Sequence, residues 1–138
     1  MIRVTRTYRF SASHRLHSND LSEEQNREVY GKCNNPYGHG HDYVLRVSVA
    51  GAVDGSTGRV VSPGALDGFV RERVIDVFDH RHMNTDVAGF DGVPTTENLA
   101  ADIDRRLRRD WEKEFAPLAL DRIWLQETPR NTFELRNR

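Results

Sequence analysis

Apolar and polar residues alternate along the start of the chain: Ile2, Val4, Tyr8, Phe10 and Ala12 take the even positions, and Arg3, Thr5, Thr7, Arg9 and Ser11 the odd ones. A period of two puts one set on a buried face and the other on the opposite face, so a half-buried strand is predicted here. Arg6 interrupts the apolar parity and His14 continues it. The same period returns from His41 to Val49, where His41, Tyr43, Leu45, Val47 and Val49 share a face and Asp42, Arg46 and Ser48 point away. Between the two, Leu16 to Lys32 is polar. It is helix-compatible around Ser22 to Val29 but has no apolar stripe, and it reads as an excursion ending in the loop that holds Cys33. Turn residues from Ala52 to Thr57 and a short extension at 58–61 follow, and strands one and two are expected to pair antiparallel.

The period then changes. Ser62-Pro63 offers a capping hydroxyl followed by proline in the first turn, and Leu66, Phe69, Val70, Val74, Val77 and Phe78 recur at helical spacing, with Asp79-His80 at the end. A second helix is predicted after Pro94, opened by Thr95-Thr96-Glu97 and buried along Leu99, Ile103, Leu107 and Trp111, with Phe115 beyond. From Leu120 the alternation resumes: Ile123, Leu125 and Glu127 on one parity, Arg122, Trp124 and Gln126 on the other, so a carboxylate ends an apolar face. Pro129-Arg130-Asn131 turns the chain into a short last strand around Thr132 to Leu135. The order strand, strand, helix, helix, strand, strand predicts an α+β fold: a four-stranded antiparallel sheet with two helices on one face.

Composition narrows the function. At 138 residues the chain is expected to form a single domain, 1–138. A net charge of −1, with no long basic run, argues against nucleic acid as a partner. The absence of a long apolar run argues against a membrane span. One cysteine cannot form an intrachain disulfide, and Arg3, Arg6 and Arg9 stand where a secretory signal would be apolar, so the expected compartment is the cytoplasm.

The candidate chemistry lies in the histidines. In His39-Gly40-His41, entering a strand, both imidazoles take one face with backbones about 6.6 Å apart, and His14 ends the neighbouring strand on its buried parity. Three protein ligands would leave the fourth position of a tetrahedral Zn²⁺ open, the arrangement of a catalytic zinc. Two polar residues in a glycine-rich turn would give the same dipeptide pattern, and a lone loop cysteine is more often inert than basic. His17 and His82 match no motif and are expected on the solvated surface.

Together, Phe10-Ser11-Ala12-Ser13-His14-Arg15-Leu16, Gly31-Lys32-Cys33-Asn34-Asn35-Pro36, Gly38-His39-Gly40-His41, Asp79-His80, Thr95-Thr96-Glu97-Asn98 and Glu127-Thr128 resemble the 6-pyruvoyl-tetrahydropterin synthase family almost end to end. The resemblance implies a tunnelling fold, zinc on His14, His39 and His41, and a pterin substrate. It makes Cys33 the base, with Asp79 and His80 as its polarising pair. A reference thiol titrates near 8.5 and needs such help at neutral pH. It assigns Glu127 to anchoring the pterin ring, helped by Thr95, Thr96 and Glu97 of a neighbouring subunit, although the threonines would also serve as helix caps. Arg15 and Lys32 flank the proposed site and are candidates for substrate phosphates.

The activity implied is that of a zinc-dependent lyase that acts on 7,8-dihydroneopterin triphosphate and expels triphosphate. The redox change is internal to the substrate, and no dinucleotide-type Gly-x-Gly-x-x-Gly loop is present. Cys33 stands six positions before His39, the spacing of the pyruvoyl type. In the 6-carboxy-tetrahydropterin synthases of queuosine biosynthesis the gap is typically shorter. That enzyme and a non-catalytic pterin- or metal-binding module are the alternatives. The family also implies a homohexamer, a dimer of trimers whose sheets join into a β-barrel.

Overall fold

In a computed structural model of the chain, which describes residues 1–136, the two alternating segments pair as the pattern requires. Strand β1 (Ile2–His14) runs antiparallel to β2 (His39–Gly51), in a register that sets Ile2 opposite Gly51 and His14 opposite His39. Asn137 and Arg138, the end of the expected domain, lie outside the described residues. Strand β4 (Ala119–Thr128) pairs with the other edge of β2, and β5 (Asn131–Arg136) with β4.

The expected four-stranded antiparallel sheet needs correction. The sheet has five strands in the order β3-β1-β2-β4-β5 and is mixed, because the two-residue β3 (Arg81–His82) lies parallel to β1 beside Ala12 and Ser13. Two residues are too few to show a period of two.

The helices also differ in detail from the prediction. The polar excursion holds a helix, α1 (Glu23–Tyr30), followed by a 3-10 turn at Gly31–Asn34. Its lack of an apolar stripe is offset at its start, where Ser22 Oγ accepts from Gln25 N and Gln25 Oε1 accepts from Ser22 N. The next helix begins as expected, with Ser62 capping and Pro63 at the first position, but is not uniform: α2 (Pro63–Val70) passes through a π turn (Arg71–Ile75) into α3 (Asp76–Phe78). Helix α4 (Thr96–Arg108) is capped by Thr95, and Trp111 and Phe115 belong to a separate short helix, α5 (Trp111–Phe115).

Phe10, Tyr43, Leu45, Val47, Ile123 and Leu125 from the sheet meet Leu66, Val74, Phe78, Leu99, Ile103 and Leu107 from the helices in one core. A bulge at Ser48/Val49 lets Leu120 and Ile123 both face inward although their parities differ. Arg6, the exception on the apolar parity, reaches α2: its Nε and a terminal nitrogen donate to the two oxygens of Asp67, and the Tyr8 hydroxyl donates to the same carboxylate. The opposite face is polar. There Thr5 bonds Ser48 at 2.8 Å, and the Arg46 guanidinium lies 4.2 Å from the centre of the Trp124 ring.

Candidate metal centre and active site

The antiparallel register brings three imidazoles together. His14 closes β1 opposite His39 at the start of β2, and His41 follows on the same face. His14 Nε2 is 3.1 Å from His39 Nε2, which is 3.0 Å from His41 Nε2, and the rings stand edge to face at 75–86°. Nitrogens bound to one tetrahedral Zn²⁺ would be separated by about 3.3 Å, so the donor set fits that ion. The tautomer fits too. His14 Nδ1 faces the Pro94 carbonyl at 2.9 Å and must donate to it, which leaves a lone pair on Nε2. Burial, and then the neighbouring His41 and His39, push His14 down to about 4, and burial lowers His39 as well, so the pair is neutral and able to ligate at physiological pH.

Close approach at the strand entry requires Gly38. Its φ is +75°, and a Cβ there would lie 2.9 Å from both the His14 carbonyl oxygen and His82 Nε2.

Glu127, at the end of β4, joins this cluster. Its Oε1 is 3.9 Å from His41 Nε2, and its Oε2 accepts a short hydrogen bond from Thr96 Oγ1. His14, His41 and Glu127 bring their ligand atoms within 4.8 Å of one another and could hold a metal, as could His14, Cys33 and His39. Beneath them Tyr43 is fully buried, stacked on Phe10 at 5.0 Å and edge-on to His41 at 5.8 Å, and its hydroxyl has no hydrogen-bond partner among the described residues. Burial, then the charge of Glu127, keeps that phenol protonated.

The adjacent threonines divide the two roles left open by the sequence. Thr95 is the helix cap, accepting from Asn98 N, while Thr96 is buried and turned to Glu127. Glu97 is exposed in the first turn of α4.

Cys33 sits in the 3-10 turn after α1, half-buried in a cleft of about 960 Å³ that it shares with His39 and His41. Burial, and then the negative Glu127, push its thiol up, so positive charge must arrive before it can act as a base. Asp79 and His80 stand elsewhere. Asp79 Oδ1 accepts from Ser11 N and His80 N donates to Ser11 O, clamping the pair to the outer edge of β1. His80 has φ +60°, and its ring is 83% exposed, with Nε2 3.6 Å from Asp79 Oδ2. It lines a second cleft, with Ser13, Asp42 and Arg81, and among the described residues no hydrogen bond or ion pair joins it to Cys33.

Two residues assigned to the solvated surface are half-buried instead. His17 lines the Cys33 cleft beside Arg15, Arg27 and Lys32. His82 is packed under Gly38, with its Nδ1 accepting from Asn84 N. The burial of His17 comes from Asn34, 17 positions later, a contact that no local pattern announces.

A family model described as 6-pyruvoyl tetrahydropterin synthase matches residues 3–138. The chain is 52% identical over 98 residues to the 6-pyruvoyl tetrahydrobiopterin synthase of Poecilia reticulata, covering 70% of this chain and 67% of that protein. It is 40% identical over 134 residues to the enzyme of the same name from Drosophila melanogaster, covering 96% and 78%. A solved structure of Caenorhabditis elegans 6-pyruvoyl tetrahydropterin synthase superposes with a TM-score of 0.87 at 36% identity, over 99% of this chain and 96% of that one.

Proposed function

The chain belongs to the 6-pyruvoyl tetrahydropterin synthase family, a family of lyases, and on that premise we infer that it converts 7,8-dihydroneopterin triphosphate to 6-pyruvoyl-tetrahydropterin and triphosphate. The observation that carries this is the clustering of three imidazoles, one thiol and one carboxylate, of which Cys33, His39 and His41 line the cleft. His14, His39 and His41 would hold zinc, which when bound supplies a Lewis acid that draws charge from the substrate side chain and acidifies its neighbouring C–H.

Glu127 accepts from the ring N–H and amino group of the pterin, two donors side by side, while Thr96 holds its other oxygen in place. Thr95 caps the helix that carries Thr96, and Glu97 contributes from a neighbouring subunit at the edge of a ring pocket. Cys33 takes the proton of the first side-chain carbon and the electron pair moves into the ring, which is protonated in turn; loss of the proton from the second side-chain carbon then expels triphosphate from the third, the C–O bond breaking with its electron pair on oxygen, and the enol left behind becomes the second carbonyl. Asp79 orients His80, whose cationic form supplies the charge Cys33 lacks. Because His80 lines a second cleft and makes no hydrogen bond or ion pair with Cys33 among the described residues, in this reading it reaches Cys33 from a second copy. In this reading the 1–138 domain is the repeating unit of a cytoplasmic homohexamer. Among the described residues, no helix is long and apolar enough to cross a membrane.

Release of triphosphate by zinc-loaded protein tests the assignment. Cys33→Ala should retain zinc and lose about 10²–10⁴-fold in rate, the usual worth of a general base. Near-normal release from Cys33→Ala would remove the thiol from the reaction.

A further inference from the structure

The side-chain amide of Asn98 is the one polar group in Thr95-Thr96-Glu97-Asn98 that serves neither the helix cap nor the contact to Glu127 and yet is turned back onto the chain before α4. Its Nδ2 donates to the Val93 carbonyl at 2.7 Å. A carbonyl only accepts, which fixes the end of the amide that faces it. The same carbonyl accepts from Thr95 N at 2.8 Å and so closes a three-residue turn with Pro94 at its centre. The proline ring holds φ at about −65°, and the angle left to the turn is ψ of Pro94.

That angle decides where the Pro94 carbonyl points, because the carbonyl and the Thr95 N–H belong to one planar peptide group. One end of this group is tied to Val93, and the other receives His14 Nδ1–H at 2.9 Å. Pro94 and the His14 ring are both buried, so water does not replace the acceptor. Turning the plane away would leave a buried N–H unpaired and remove what keeps the His14 proton on Nδ1. The lone pair on Nε2 depends on that proton staying where it is.

We propose that Asn98 is a positioning residue for the metal site: through Val93 and the Pro94–Thr95 peptide group it holds the carbonyl that keeps His14 in its ligating tautomer. This rests on the zinc set assigned above and adds a residue that acts on the metal only through His14. The bonds run in series from the Asn98 amide to the imidazole, and each polarises the next. Partners behind a ligating histidine fix its ring and its proton, and losing one typically costs about 10–100-fold in metal affinity.

Two measurements on the full chain test this, with Thr95→Ala as the comparison because it loosens the start of the same helix and keeps the Asn98 amide. In zinc-free protein, nitrogen NMR shifts of the His14 imidazole report the tautomer. Wild type and Thr95→Ala should hold the proton on Nδ1, and Asn98→Ala should average over both nitrogens. Competition with a chromophoric chelator should give zinc affinity about tenfold weaker in Asn98→Ala and unchanged in Thr95→Ala. A single Nδ1–H tautomer in Asn98→Ala would overturn the proposal, whatever its zinc affinity. Equal losses in the two variants would also overturn it, because Asn98 would then be only a part of the helix start. Wild-type protein that binds no zinc, with the tautomer shift present in Asn98→Ala, would contradict the metal assignment and leave the positioning role standing.

Discussion

Thr95 and Thr96 are chemically identical neighbours with different tasks. Thr95 Oγ1 accepts from Asn98 N at 3.2 Å and stabilises the start of α4, whereas Thr96 Oγ1 donates to Glu127 and has no part in the cap. Thr95→Ala should cost about 1 kcal/mol of stability, as lost caps do, and leave pterin affinity unchanged. Thr96→Val keeps the shape and removes a hydrogen bond to a charged group, so pterin binding should weaken by about tenfold or more. Denaturation curves and fluorescence titration separate the two, and a pair of variants with equal effects on both readouts would contradict the division. At this scale the sequence exposed the three histidines and Glu127, because parity along a strand is local. It left Thr95 and Thr96 indistinguishable and hid His17, because the contacts that separate them come from distant parts of the chain.

Strand β1 is joined to α2 through the one position where its alternation fails. Arg6 should face solvent by polarity, yet it lies on the inward parity and pairs with Asp67 at 2.7 Å. Hydrogen bonds from Arg6 and then Tyr8 hold the Asp67 carboxyl below the usual carboxylate range. A folded-state value below the unfolded one, about 3.9, gives stability that is present above that pH and is lost as pH falls through the folded value. Asp67→Asn should therefore be less stable than wild type at neutral pH, with the gap closing below about pH 4. Urea denaturation at several pH values checks this, and a gap that stays constant into acid would refute it. The long strands and both main helices were legible from periodicity, and α1 had its own signal in Ser22 followed three places on by Gln25. The π turn and β3 had none, since each depends on what the chain packs against.

As a whole molecule the sheet is left open at both sides. The two-residue β3 covers only Ala12 and Ser13, so the outer edge of β1 from Ile2 onward pairs with no strand among the described residues, and β5 forms the other edge. In the proposed hexamer these edges would pair between copies and close a barrel lined by the polar face of Arg46, Trp124 and Ser48. Light scattering should give about six times the 15.9 kDa chain mass. Co-assembled Cys33→Ala and His80→Ala chains should recover part of the activity that each lacks alone, because some sites then combine intact residues from two copies. A fully active monomer would contradict both. The most direct measurement is the mass of the product formed when purified, zinc-loaded protein is incubated with 7,8-dihydroneopterin triphosphate. The expected result is 6-pyruvoyl-tetrahydropterin with one inorganic triphosphate released per turnover; 6-carboxy-tetrahydropterin, or substrate recovered unchanged, would contradict it.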